Sequence, residues 1–145
     1  LEYTGVMSLD DAKEYMDQLW TAVSNVTNSG DESDASDDND TSLSDYYTDG
    51  ADNAQYKEMI RMSKGYYNDD DVYSVDYDCD VRSVVPTGKD KFTVTYYLTY
   101  TFELEDSTHV QEFSYNADME KDGSDDYKII KVTGGQKLRD THEDD

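Results

Sequence analysis

From Tyr73 onward the chain alternates. Tyr73, Val75, Tyr77, Cys79, Val81 and Val85 are interleaved with Ser74, Asp76, Asp78, Asp80 and Arg82, the period of a strand with one buried face. Pro86-Thr87-Gly88 predicts a turn, after which Phe92, Val94, Tyr96, Leu98, Tyr100, Phe102 and Leu104 alternate with threonines. Glu105-Asp106 predicts a tight turn into a third strand. If Leu104 opposes Ser107, then Phe102 faces His109, Tyr100 faces Gln111, Leu98 faces Phe113, Tyr96 faces Tyr115, Val94 faces Ala117 and Phe92 faces Met119. All the apolar members then share one face, and a slip of one residue would scatter them. Asp122-Gly123 marks a further turn, before a strand over Tyr127 to Thr133 in which Ile129 and Ile130 point to opposite faces. Gly134-Gly135 is expected to end that strand, leaving residues 136–145 as a flexible tail.

Upstream the period is helical. Ser8 with Asp11 forms a capping signal, and Leu9, Ala12, Met16, Leu19, Trp20 and Val23 make one stripe ending near Val26. A second helix is expected from about Asp52 to Lys64, with Tyr56, Met59, Ile60 and Ser63 on one stripe and Gly65 as terminator. Between the helices, residues 28–53 form an acidic, loop-like insertion with a short helical turn around Leu43 to Tyr47. Lys57, Arg61 and Lys64 share the other face of the second helix and could match the acid run electrostatically.

The 145 residues fit one domain, residues 1–135, with a single core. Acidic residues number 35 and basic residues 12, a net charge of −23. That field repels nucleic-acid phosphates and anionic lipid headgroups. A charge so large favours disorder, but fourteen Tyr, three Phe and one Trp, mostly in alternating runs, indicate an ordered sheet under an acidic coat. The single Cys79 excludes an internal disulfide and is read as a small buried apolar residue. No apolar run reaches membrane-spanning length. The first residue is Leu1, so a signal or anchor upstream is expected. The scarcity of Lys with abundant Asp, Ser, Thr and Tyr resembles exported lipoprotein-type domains of Gram-positive gut bacteria, which predicts an extracellular or cell-surface location. An acid-enriched halophile protein is the other compositional reading.

Two N-terminal helices followed by an antiparallel meander that closes on Ser124-Asp125-Asp126-Tyr127-Lys128-Ile129-Ile130 resemble the α+β cone of the NTF2-like (cystatin-like, SnoaL-like) superfamily, over roughly Ser8 to Gly134. The resemblance implies two or three helices on a curved sheet of four or more strands. It also implies a concave pocket, homodimerisation through the outer face of the sheet, and a role as small-molecule enzyme, accessory domain or ligand binder. A fold so widely used selects none of these. The acidic insertion departs from the compact family pattern.

The inner-face candidates are Tyr77, Tyr96, Tyr100, His109, Gln111 and Tyr115, which could line a site for a ring or a sugar. His109 could act as a base with Tyr100 as donor, making an isomerase, dehydratase or hydrolase the alternative to a non-catalytic binding or accessory domain. No nucleophile triad, phosphate loop or paired-His metal motif is present, and His142 falls in the tail. Asp31, Asp34, Asp37, Asp38 and Asp40 could associate weakly with Ca2+, but their spacing lacks the glycine and terminal Glu of a calcium loop. Asp76, Asp78 and Asp80 extend the acidic surface along one strand, a field that would attract a basic protein or peptide. Its alternative role is solubility and protection of a sheet edge.

Overall fold

The computed structural model describes residues 7–30, 43–121 and 127–144. Two helices pack on a curved, open, four-stranded antiparallel sheet, an α+β arrangement with the broad shape of an NTF2-like cone. Helix α1 (Leu9–Ser29) begins where Ser8, in extended conformation, accepts the Asp11 N–H at 3.1 Å. Ala12, Met16, Leu19, Trp20, Val23 and Val26 are buried along one stripe. Leu9, which the periodicity adds to that stripe, is instead 42% exposed. At the helix end the core position is taken by Met7, which is buried in the same cluster as Ala12, the two positions of a hydrophobic staple. The helix runs past Val26 to Ser29 and stops on Gly30, at φ 76°, whose N–H bonds the Val26 carbonyl at 2.7 Å.

A short helical turn covers Leu43–Tyr46, as the apolar pair Leu43 and Tyr46 predicts. Helix α2 (Ala54–Tyr67) buries Tyr56, Met59, Ile60 and Ser63, the expected stripe. Its cap is Asn53, whose Oδ1 accepts from Gln55 N at 2.8 Å and Tyr56 N at 3.1 Å. Its Nδ2 donates to Thr48 Oγ1 and to the Ile130 carbonyl, each at 3.1 Å, tying the helix start to the last strand. Gly65 does not terminate α2, which continues to Tyr67. The extra turn seats the Tyr66 ring on Phe102, 5.1 Å between centroids, and tertiary packing of this kind overrides a glycine's weak helix preference. Arg61 pairs with Glu58 on the same helix at 2.7 Å, and the acid run proposed as a partner for this basic row lies outside the described residues.

The strands β1 (Ser74–Gly88), β2 (Lys91–Glu103), β3 (Ser107–Lys121) and β4 (Tyr127–Asp144) lie in sequence order. The β2–β3 register is the one the apolar pattern requires, from Phe92 opposite Met119 to Phe102 opposite His109. In β1 the alternation holds through Val81 and then shifts, because Arg82 bulges between Val81 and Ser83. Val84 rather than Val85 therefore opposes Val94 and packs on the core, and Val85 is 51% exposed. Pro86 lies within β1 opposite Phe92, and the turn falls at Lys89-Asp90 with Asp90 at φ 58°. Because β1 is an edge strand, Pro86 can sit there without breaking a central ladder.

The largest difference is at the C-terminus. Gly134 and Gly135, at φ 98° and 100°, form a bulge and not an end, and β4 continues along β3 until Asp144 pairs with Ser107. The segment expected to be a flexible tail, from residue 136 as far as Asp144, is strand. Glycine is needed at 134, since a Cβ there would stand 2.9 Å from the Ser114 carbonyl oxygen. The Asp122-Gly123 turn signal lies outside the described residues. Ile129 is buried in the core and Ile130 is half-buried on the other side of the strand.

Candidate functional site

The two helices and the inner face of the sheet leave a cavity of about 300 Å³. The β2–β3 register determines its floor: inward positions place Tyr96 and Tyr100 on β2 and Tyr115 on β3. Helix α1 contributes Leu19 and Trp20, and α2 contributes Met59 and Met62. Tyr47 closes one side, held by a backbone bridge to Ile129. Ile129 and Val132 of β4 line the wall beside it. At the rim stand Gln55, Glu58 and Arg61. Gln55 Oε1 accepts the Val132 N–H at 3.2 Å, so the bulged backbone of β4 is stitched to α2 beside the opening.

The polar groups of this cavity are phenols, one indole, one carboxamide and one ion pair. Tyr100 and Tyr115 hydroxyls are 3.2 Å apart, and the Tyr100 hydroxyl also reaches the Met62 sulfur at 4.0 Å. Burial pushes the Tyr100 phenol well above its ordinary range, and its contact with Tyr115 adds to the shift. The Tyr47 and Tyr96 phenols are raised in the same direction, again chiefly by burial. These groups hold their protons throughout the physiological range and are poor bases. Trp20, only 8% exposed, keeps its Nε1–H without a hydrogen-bond partner among the described residues. Glu58 and Arg61 neutralise one another on the exposed rim.

Of the residues that sequence reasoning places in a pocket, Tyr96, Tyr100 and Tyr115 are brought together there. Tyr77 stands behind the wall: its ring packs on Trp20 at 5.2 Å and on Tyr100 at 5.3 Å, and its hydroxyl lies 3.0 Å from Thr27 Oγ1. His109 and Gln111 are farther along the sheet, in a separate polar cluster. There His109 Nε2 meets Asp140 Oδ1 at 2.5 Å, Lys137 Nζ donates to Asp140 Oδ2 at 3.0 Å, and Gln111 Nε2 donates to the same oxygen at 3.5 Å. His109 foremost, then Lys137, hold the Asp140 carboxyl down to about 2. The His142 ring lies 5.5 Å from that of His109 and bonds Ser107 Oγ at 2.7 Å. Tyr100 and His109 are not hydrogen-bonded to one another. Each has a different partner, and Phe102 contacts both rings, 6.0 Å from Tyr100 and 5.9 Å from His109.

The carboxylates Asp31, Asp34, Asp37, Asp38 and Asp40 lie outside the described residues. Among the described residues no three His, Cys, Asp or Glu side chains gather to hold a metal ion, and no helix is long and apolar enough to cross a membrane. Cys79 is half-buried, and burial first, then Asp78, Asp80 and Asp17, push its thiol far up.

No protein-family model, curated protein or solved structure matches the chain. What the site can do therefore rests on its geometry. Sequence reasoning missed Trp20, Tyr47, Met59 and Met62 as lining residues. Trp20 and Met59 lie on helical stripes that read as core, and core and cavity wall carry the same apolar signal. Tyr47 lies within the acidic insertion, where only its pairing with β4 gives it a place.

Proposed function

We propose that this chain is a non-catalytic, extracytoplasmic binding or accessory domain of the NTF2-like type, which holds a small neutral molecule in the cavity between its helices and sheet. The observation that carries this reading is the composition of the lining. Ring and aliphatic surface dominates, as in small-molecule sites generally, and among the described residues no buried Asp, Glu or His stands beside the tyrosines. General acid–base chemistry needs a group whose proton affinity is matched to the working pH. The Tyr47, Tyr96 and Tyr100 phenols are tuned away from it, and the one carboxylate that the described residues place at the rim is paired with Arg61. The acidic coat, including exposed Asp76, Asp78 and Asp80 along β1, supports a location facing solvent and an encounter surface for basic partners.

A screen of neutral cyclic fragments by protein NMR tests the reading. Shifts concentrated on Trp20, Tyr96, Tyr100, Tyr115 and Met62, with fragments recovered unchanged, are the expected result. Chemical conversion of a bound fragment, abolished by substitution of a lining residue, would replace the binding reading with the isomerase, dehydratase or hydrolase one.

A further inference from the structure

Strand β1 is an edge: among the described residues its one neighbour in the sheet is β2. At its start the open side is filled from helix α1. The Val75 N–H donates to Asn28 Oδ1 at 2.9 Å, Asn28 Nδ2 donates back to the Val75 carbonyl at 3.1 Å, and Ser24 Oγ donates to that carbonyl at 3.2 Å. One carboxamide thus makes the two bonds that a neighbouring strand would make, and the Val75 backbone groups point away from β2. That direction alternates along an antiparallel strand, and the register with β2 is unbroken from Val75 to Val81. The N–H and C=O of Tyr77 and Cys79 therefore point to the same open side, where no described residue bonds them. Four such groups in sequence are a template for an added strand.

The flanking side chains select what can be added. Asp76, Asp78 and Asp80 are exposed. Arg82 pairs with Asp80 at 3.0 Å, whereas Asp76 and Asp78 have no cationic partner among the described residues. From the helix side, Asp17 stands near enough to Cys79 to help raise its thiol. A second copy of the chain laid antiparallel on this edge would set carboxylate against carboxylate, and like charges directly opposite are destabilising. Resting on the reading of the acidic coat as an encounter surface for basic partners, we infer that β1 binds an extended segment of a basic protein. The segment adds a strand along Tyr77 and Cys79 and turns alternate Lys or Arg side chains to Asp76 and Asp78. Those two carboxylates occupy the non-hydrogen-bonded positions of the new pair, where facing side chains are closest.

The test titrates the full chain, in about 50 mM NaCl, with three capped heptapeptides of equal charge. One alternates Lys and Thr, beginning and ending with Lys. One has the same residues with the four lysines in a block. The third is the alternating sequence N-methylated at its threonines, which keeps the charges and removes the donors that would face Tyr77 and Cys79. The expected result is that the alternating peptide binds and slows amide hydrogen exchange at Tyr77 and Cys79 about 10-fold or more, read by NMR. The N-methylated peptide should bind at least about 10-fold more weakly, the size of two net hydrogen bonds or less, and leave that exchange unchanged. Asp76→Asn with Asp78→Asn should weaken the alternating peptide about 5-fold without lowering the melting temperature. Equal binding of all three peptides with exchange at Tyr77 and Cys79 unchanged overturns strand addition and leaves the encounter surface standing. Binding of none overturns both, and neither result touches the cavity.

Discussion

At the scale of the residue, the structure separates side chains that the sequence makes look alike. Tyr77, Tyr96, Tyr100 and Tyr115 share one face of the sheet, but only three of them meet the cavity, because Trp20 packs against the ring of Tyr77. Asn53 shows how much one short side chain can hold. It is 7% exposed and joins α2 to both Thr48 and β4. Asn53→Ala removes a helix cap and two further hydrogen bonds and is expected to destabilise the domain by about 2–3 kcal/mol in urea unfolding. Asn53→Asp keeps the cap acceptor but turns an oxygen on the Ile130 carbonyl, so it should recover only part of that loss. Cys79 is expected to react with iodoacetamide at pH 8 far more slowly than in the urea-unfolded chain, since burial and three nearby carboxylates suppress the thiolate. Mass spectrometry of timed aliquots reads the ratio. Asp140 should titrate with a midpoint near 2 by carboxyl NMR. Its folded value lies below the ordinary 3.8, so its contribution to stability is present above that ordinary value and is lost as pH falls through about 2.

At the scale of the element, periodicity carries the fold wherever one face is buried and neighbours are in register. The β2–β3 pairing and the buried stripe of α2 were legible for that reason. What the pattern could not carry is where extra residues enter. Arg82 bulges out of β1 and reverses the facing of Val84 and Val85, although nothing in the local composition distinguishes it. Gly134-Gly135 carries the composition of a strand end, yet pairing of β4 with the whole length of β3 is a long-range property that a dipeptide cannot report. The cavity was legible only in its sheet floor. Its helical wall reads as core, and the remote cluster around His109 depends on the continuation of β4 to reach Asp140. A substitution checks the helix stop. Gly30 sits at φ 76°, and Gly30→Ala should lower stability by about 1 kcal/mol. The new Cβ would also stand 2.5 Å from Tyr67 Cε1, so the exposed ring must swing aside and adds to the backbone strain.

At the scale of the whole molecule, the opposition is between an ordered aromatic core and a net charge of −23. Self-repulsion of that order weakens the compact state and is relieved by screening. The melting temperature is therefore expected to rise as NaCl increases from about 10 to 200 mM, where the Debye length falls from about 30 Å to below 10 Å. A fall would mean that attractive ion pairs outweigh the repulsion. The outer face of the sheet is dressed with polar pairs, Thr93 with Asp118 at 2.9 Å and Thr95 with Asn116 at 2.8 Å. The inner face carries the rings, and on it the functional account stands. Its central claim is that the cavity receives a small neutral molecule. Saturation-transfer NMR of 2-acetylnaphthalene over the wild-type chain and over Val132→Phe, which places a ring in the opening beside Gln55, tests this most directly. The account predicts a strong transfer signal in the wild type that disappears in a Val132→Phe variant of undiminished melting temperature. An equal signal from both proteins, or none from the wild type, would contradict it.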